Sequence, residues 1–110
     1  MRSAKRDVDL FLSDVKNAIR QKNYTPIDRD KNLNTLAQLG ITWKDAIDEI
    51  NELSFSNYIK GPEIDRDFPQ HDHLWVFKKG MMGETIYIKL KILYQNNKSL
   101  LVLSFHIDEP

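Results

Sequence analysis

Residues 75–107 read WVFKKGMMGETIYIKLKILYQNNKSLLVLSFHI, and this stretch decides the fold. Three segments alternate apolar with less apolar residues, and the gaps between them hold Gly or Asn. Alternation of this kind, bounded by turn formers, predicts an antiparallel meander of three strands. We place the first turn at Met81-Met82 and the second at Asn96-Asn97, because Asn tolerates the positive φ of a tight turn.

This register gives the sheet two different faces. The first, named the core face, is apolar; its predicted pairs are Ile88 with Phe105, Leu90 with Leu103, and Ile92 with Leu101, and Trp75 and Phe77 join them. The second, named the mixed face, pairs Tyr87 with His106 and Lys89 with Ser104, and Val76 and Lys78 join it. One face is therefore predicted to build the core, while the other is a candidate for chemistry.

The residues before the meander predict helices. Apolar side chains of residues 4–20 recur every three or four positions, as on one face of an amphipathic helix. Asp30 is predicted to cap a short helix that Gly40 stops, and Thr42 with Asp45 is predicted to form a capping box for a third helix.

A last helical turn is expected through Tyr58 and Ile59, and residues 60–73 are interpreted as a polar loop. Helices at about 4–59 and strands at about 74–107 predict an α+β fold, in which N-terminal helices pack on one face of a C-terminal antiparallel sheet.

Length and composition restrict the function classes. The 110 residues predict one domain spanning 1–110, and the absence of cysteine excludes disulfides and thiolate metal sites. No apolar run reaches the roughly 18 residues of a membrane span, and no signal peptide is recognisable, so we expect a cytoplasmic protein without membrane contact. The formal net charge is zero. An anionic partner must therefore be held by a local cluster of cations.

The mixed face offers such a cluster around Tyr87 and His106. Histidine titrates near neutrality, lysine stabilises charge on a phosphate, and tyrosine orients it by hydrogen bonding. Such a set suits RNA cleavage by the RNA's own 2′-hydroxyl, which requires neither metal nor cofactor. The alternative is that Tyr87 and His106 are an ordinary cross-strand pair. Lys22, Arg29 and Lys31 in the loop of residues 21–31 are either solvated or in contact with phosphate.

A metal site is a further alternative. His71 and His73 flank Asp72, and Asp65 and Asp67 are near in sequence. This spacing is weak evidence, because zinc sites need three or four convergent ligands. We therefore predict no metal site.

Four motifs in order carry a family resemblance. They are LGITWKDA (39–46), LSFSNYIKGPEID (53–65), WVF with GETIYIKLKI (75–77 and 83–92), and LVLSFH (101–106). Together they resemble the MqsR family, the motility quorum-sensing regulator type of toxin in bacterial type II toxin–antitoxin pairs. The resemblance implies a RelE-like fold and mRNA endoribonuclease activity. It also implies a cognate antitoxin partner, which we expect to be of helix-turn-helix type and encoded by an adjacent gene. Because a neutral net charge predicts weak binding of free RNA, the ribosome is a further candidate partner that would position the RNA.

The resemblance also implies site residues. Lys60 falls where the family places a catalytic lysine, and Tyr87 matches the family's active tyrosine. His106 stands where the family pattern has a lysine, and Val76 stands where it has a glutamine. These two departures leave open an alternative, an inactive family member that serves as a protein- or RNA-binding module.

For an active enzyme we predict these roles: His106 protonates the leaving 5′-oxygen, and Lys60 and Tyr87 hold the scissile phosphate. Glu63 is the candidate base for the 2′-hydroxyl. Lys78 and Lys89 are the candidate RNA-binding cations.

Overall fold

The computed structural model describes residues 3–68 and 72–109. The elements are α1 (Lys5–Arg20), β1 (Tyr24–Pro26), α2 (Asp30–Leu39), α3 (Trp43–Ile50), a 3₁₀ turn (Phe55–Asn57), β2 (Tyr58–Glu63), β3 (Leu74–Met81), β4 (Glu84–Leu93) and β5 (Ser99–Ile107). The predicted α+β class, with helices preceding the meander, is confirmed. Within the described ranges, no helix combines the length and apolar character that a membrane crossing requires.

The sheet has five strands in the order β1-β5-β4-β3-β2. The predicted meander is β3, β4 and β5, all antiparallel, while β1 adds to β5 in parallel and β2 adds to β3 in antiparallel orientation. The prediction of a loop at residues 24–26 was therefore wrong. The prediction of a helical turn followed by a loop at residues 58–63 was also wrong, because these residues form β2. Strand β1 has three residues, and β2 carries Gly61-Pro62 and two register shifts, so neither shows regular alternation.

The three helices form where the sequence predicted them, but the cap predicted at Asp30 was wrong, because Arg29 is the N-cap of α2 and Asp30 is its first residue. Helix α1 buries Val8, Phe11, Leu12, Val15 and Ala18. Helix α2 ends at Gly40, whose φ of 67° is left-handed. The capping box of α3 is confirmed, because Thr42 Oγ1 accepts from the Asp45 N–H at 3.2 Å and Asp45 Oδ2 accepts from the Thr42 N–H at 3.0 Å.

The core lies between the helices and the core face of the sheet. Phe11 of α1 stacks on Trp75 of β3 at 4.6 Å between ring centroids, and Phe77 and Ile88 are fully buried beneath the helices. Each such side chain contributes roughly 1.5–3 kcal/mol by leaving water. This packing covers the core face and leaves the mixed face on the other side of the sheet.

The register of the meander differs from the prediction in two places. The first turn is centred on Met82 and Gly83, so Trp75 pairs with Leu90 rather than Ile88. The shift is two residues, and each side chain of β3 therefore keeps its predicted face. The second turn spans residues 94–98 rather than two asparagines.

Between β4 and β5 the register is correct on one side of a bulge and wrong on the other. Tyr87 pairs with His106, Ile88 with Phe105, and Lys89 with Ser104, as predicted. Beyond the bulge at Leu103, Leu90 pairs with Val102 and Ile92 pairs with Leu100, so the two predicted pairs Leu90–Leu103 and Ile92–Leu101 were wrong.

Helix α2 closes the outer edge of β5 beyond the end of β1. Asn32 is fully buried. Its Oδ1 accepts from the Phe105 N–H at 3.0 Å, and its Nδ2 donates to the carbonyls of Leu103 at 3.2 Å and Ile27 at 2.8 Å. Thr35 Oγ1 accepts from the Ile107 N–H at 3.0 Å. Two side chains thus replace a neighbouring strand on both sides of His106.

Candidate functional site

Tyr87 and His106 are direct neighbours across β4 and β5. Their rings are stacked, with centroids 5.3 Å apart and planes inclined by 23°, and both side chains are half-buried. His106 Nδ1 lies 3.0 Å from the Ile107 carbonyl oxygen. A carbonyl can only accept, so this hydrogen bond requires the hydrogen on Nδ1. Nε2 is then the nitrogen that can exchange a proton with a ligand.

Two lysines lie beside this pair on the mixed face. Lys89 follows Tyr87 by two residues on β4, and its Nζ is 5.9 Å from the Tyr87 ring centroid. Lys60 reaches the same face through a bulge in β2: Tyr58 pairs with Phe77 and points into the core, whereas Lys60 pairs with Val76. A bulge re-aims the side chain that follows it. Without this bulge, Lys60 would share the buried side of Tyr58.

Glu63 lies next to Lys60, with its Oε1 3.5 Å from Lys60 Nζ. Both side chains are close to half exposed, at 49% for Lys60 and 44% for Glu63. They line one groove together with Tyr87 and Lys89. The structure therefore brings the candidate base, the candidate phosphate-binding lysine and the tyrosine to one surface.

Lys78 and Val76 differ in what they offer to a ligand. Lys78 pairs with Tyr87 in the register, but its Nζ is 2.7 Å from Asp108 Oδ2, so its charge is balanced within the chain. Val76 pairs with Lys89 and is fully buried. Val76 therefore acts through packing beneath the cations.

The groove consists of two cavities that meet at Tyr87. One, of about 350 Å³, lies toward the segment of residues 63–68 and includes Lys60 and Lys89. The other, of about 450 Å³, lies toward α2 and includes His106. Arg29 lines the first cavity and Lys31 the second. Both side chains are exposed, and their contact with phosphate stays a prediction.

The far end of the mixed face is covered rather than open. Asp65 Oδ2 is 2.8 Å from Lys91 Nζ, and the Lys91 side chain is only 4% exposed. The hydrogen bond from Lys91 lowers the pKa of the Asp65 carboxyl below its ordinary value, against the opposing effect of burial. Phe68 lies nearby, with its ring centroid 5.8 Å from Lys91 Nζ. Lys91 is thus a structural cation, and Lys89 is the one of the two that faces the groove.

The described residues give little support to a metal site. His71 lies outside them, and His73 is exposed. Among residues 3–68 and 72–109, no group of three or more His, Cys, Asp or Glu side chains is arranged to hold a metal ion.

Sequence reasoning named Lys31 as a candidate phosphate contact but missed the other residues of α2 that lie beside His106. Lys31, Asn34, Thr35 and Gln38 line the cavity beside His106. They are spaced as one helix face, which is a signal that the sequence contains. That this face lies against the end of β5 depends on Asn32, a tertiary contact that periodicity does not reveal.

Comparison with known proteins gives one family match. A family model described as the motility quorum-sensing regulator, toxin of MqsA, matches residues 9–107, which is nearly the whole chain. No curated protein matches the chain.

Proposed function

Because the chain belongs to the family of the motility quorum-sensing regulator, the toxin of MqsA, we propose that it is a metal-independent endoribonuclease acting on messenger RNA. Membership makes it a toxin of a toxin–antitoxin system with an antitoxin partner. The observation that carries the nuclease proposal is the stacked Tyr87–His106 pair, open to a groove that also contains Lys60, Glu63 and Lys89.

The proposed reaction is attack of a ribose 2′-oxygen on the adjacent phosphorus. Glu63 takes the proton of the 2′-hydroxyl as the O2′–P bond forms, and His106 Nε2 gives a proton to the 5′-oxygen as the P–O5′ bond breaks. The products are a 2′,3′-cyclic phosphate and a 5′-hydroxyl. Lys60 and Tyr87 stabilise the charge on the non-bridging oxygens. Lys89 holds the neighbouring backbone, while Lys78 contributes less because Asp108 already balances its charge.

The net charge of the chain bears on how it would bind RNA. Phosphate contacts provide much of nucleic-acid affinity. The chain is neutral overall and offers a few cations in one groove. We therefore propose weak binding of free mRNA and positioning of the RNA by the ribosome. A helix-turn-helix antitoxin encoded by the adjacent gene is the proposed neutralising partner.

Cleavage by the purified protein, freed of its antitoxin, tests the reaction. With a labelled RNA and excess EDTA, we expect wild type to cleave and His106→Ala to be about 10²–10⁴-fold slower, as for loss of a general acid. Tyr87→Phe is expected to be about tenfold slower, as for the loss of one hydrogen bond in the transition state. The matched controls are His73→Ala and Tyr94→Phe, which change the same residue types outside the groove.

The pH profile separates a proton donor from a structural residue. A general acid must be protonated, so activity should decline on the alkaline side, and His106→Ala should lose that decline. Equal activity of wild type and both groove variants would contradict the proposed site. Absence of cleavage both of free RNA and of mRNA bound to purified ribosomes, with tight antitoxin binding retained, would instead assign the chain to the non-catalytic binding module.

A further inference from the structure

We propose that the cavity between α2 and His106 is a nucleobase-binding subsite, in which the side-chain amides of Asn34 and Gln38 read the edge of one base. This inference rests on the proposed function, because it assigns a role in RNA recognition to a surface next to the proposed scissile phosphate. It names the residues through which the toxin would choose its cleavage sequence.

The first support is the pattern of α2. Lys31, Asn34, Thr35 and Gln38 line the cavity. Their spacing of three, four and seven residues places them on one helix face. Thr35 is buried against β5, whereas Lys31, Asn34 and Gln38 are exposed to solvent where they line the cavity.

The second support is that the two amides are free. On the same helix, Asn32 and Thr35 use their polar groups to bind the backbone of β5. Within the described parts of the chain, the side-chain amides of Asn34 and Gln38 make no hydrogen bond, and both residues are exposed. An amide carries two N–H donors and a carbonyl acceptor in one plane. Asn and Gln therefore match the adjacent donor and acceptor groups of a base edge.

The third support is the volume of the cavity and the side chains that line the rest of it. Its volume of about 450 Å³ lies within the range of small-ligand sites. The stacked rings of Tyr87 and His106 form one wall, and aromatic rings are the surfaces on which unpaired bases stack. Lys31, Asp108 and Glu109 also line the cavity. Asp108 is paired with Lys78 at 2.7 Å, and Lys31 is the cation available to a phosphate attached to the bound nucleoside.

The position of the cavity determines what its occupant would do. Tyr87 lines both cavities of the groove, so a phosphate held at Tyr87 has the α2 cavity on one side and Lys60 and Lys89 on the other. A base in the α2 cavity belongs to a nucleotide adjacent to the cleaved bond. Discrimination by Asn34 and Gln38 would then select which bond is cut.

Binding of RNA that cannot be cleaved tests the subsite without relying on catalysis. The probes are four fluorescent 2′-fluoro hexamers, each of a single base, with dissociation constants measured by fluorescence anisotropy at one salt concentration. We expect wild type to prefer one base. Asn34→Ala and Gln38→Ala should each reduce that preference by about tenfold, since a matched bidentate contact contributes about 1–3 kcal/mol of discrimination. The matched control is Gln95→Ala, an exposed amide in the β4–β5 turn, which should keep the wild-type preference.

Two further variants keep the shape of the amides and remove their donors. Asn34→Asp and Gln38→Glu should change the order in which the four hexamers bind. The subsite would be overturned if wild type bound the four hexamers equally or bound none of them. It would also be overturned if all four variants kept the wild-type order of affinities for the hexamers. Failure of the nuclease proposal would appear separately, as absence of cleavage of ordinary RNA in a protein that still shows the base preference.

Discussion

Removal of the Asn32 side chain should destabilise the protein more than any exposed substitution on the same helix. Asn32→Ala deletes three hydrogen bonds, two donated by Nδ2 to backbone carbonyls and one accepted by Oδ1 from the Phe105 N–H. Asn32 is fully buried and Phe105 is 1% exposed, so water does not readily replace these partners.

The magnitude follows from the number of bonds. A hydrogen bond contributes about 1 kcal/mol net, so three bonds predict a loss of about 3 kcal/mol in the free energy of unfolding. Thr35→Val deletes one acceptor, for the Ile107 N–H, and predicts a loss of about 1 kcal/mol. The exposed neighbour Asn34, changed to Ala, predicts a change within about 0.5 kcal/mol.

Urea denaturation of the three variants and wild type measures these differences, with an unchanged dependence on urea concentration as the sign that two-state unfolding persists. Asn32→Ala should also cleave RNA more slowly, because His106 follows Phe105 directly. A loss for Asn32→Ala below about 1 kcal/mol, or no greater than that for Thr35→Val, would refute the assignment of Asn32 as the substitute for a neighbouring strand.

Two other substitutions test separate features. Asp65→Asn leaves the buried Lys91 ammonium without its carboxylate and should cost about 3 kcal/mol at pH 6. Because the folded state lowers the pKa of Asp65 below 3.8, its contribution is present above that pH and is lost as the pH falls through the folded-state pKa. Urea denaturation should therefore show a smaller difference between wild type and Asp65→Asn at pH 3, and an equal difference would argue against this pair. Gly61→Ala places a Cβ 3.0 Å from the Leu74 carbonyl oxygen at a φ of +134° and should cost about 1–3 kcal/mol, whereas Gly80→Ala meets nothing within 4 Å and should be neutral in thermal unfolding.

The pairing of Tyr87 with His106 was predicted correctly although the turn beside it was not. Leu93 pairs with Ser99, which is one residue away from the register that a two-residue Asn96-Asn97 turn would give. The bulge at Leu103 adds one residue to β5 and restores the predicted register for the rest of the strand. Alternation in sequence sets which side chains share a face, but it does not show a bulge, and the carbonyl of the bulged Leu103 accepts from the Asn32 side chain 71 residues away.

The position of Lys60 on the site was predicted from family resemblance, not from local pattern. Residues 58–63 were predicted as the end of a helix followed by a loop, since Gly61-Pro62 is typical of such an end. The segment pairs as an edge strand because Tyr58 fills the core against Phe77. Edge strands tolerate proline and irregular pairing, so their sequences carry a weak signal.

The sequence could not predict that one half of the mixed face is open and the other half is covered. Lys89 and Lys91 occupy equivalent positions on β4, and alternation predicts the same exposure for both. The exposure of the two lysines differs because Asp65 forms an ion pair with Lys91. This ion pair holds the segment of residues 63–68 over Lys91. Such a contact joins residues 26 positions apart, which periodicity within a strand cannot indicate.

The cover that α2 provides for β5 also bears on self-association. An unpaired strand edge presents free N–H and C=O groups that another chain can bind as an added strand, which is a route to aggregation. Asn32 and Thr35 occupy the Leu103 carbonyl and the N–H groups of Phe105 and Ile107. Helix α2, which lines the cavity beside His106, therefore also blocks this half of the edge. Substitution of Asn32 or Thr35 is expected to leave an unpaired strand edge open to association as well as to alter the candidate site.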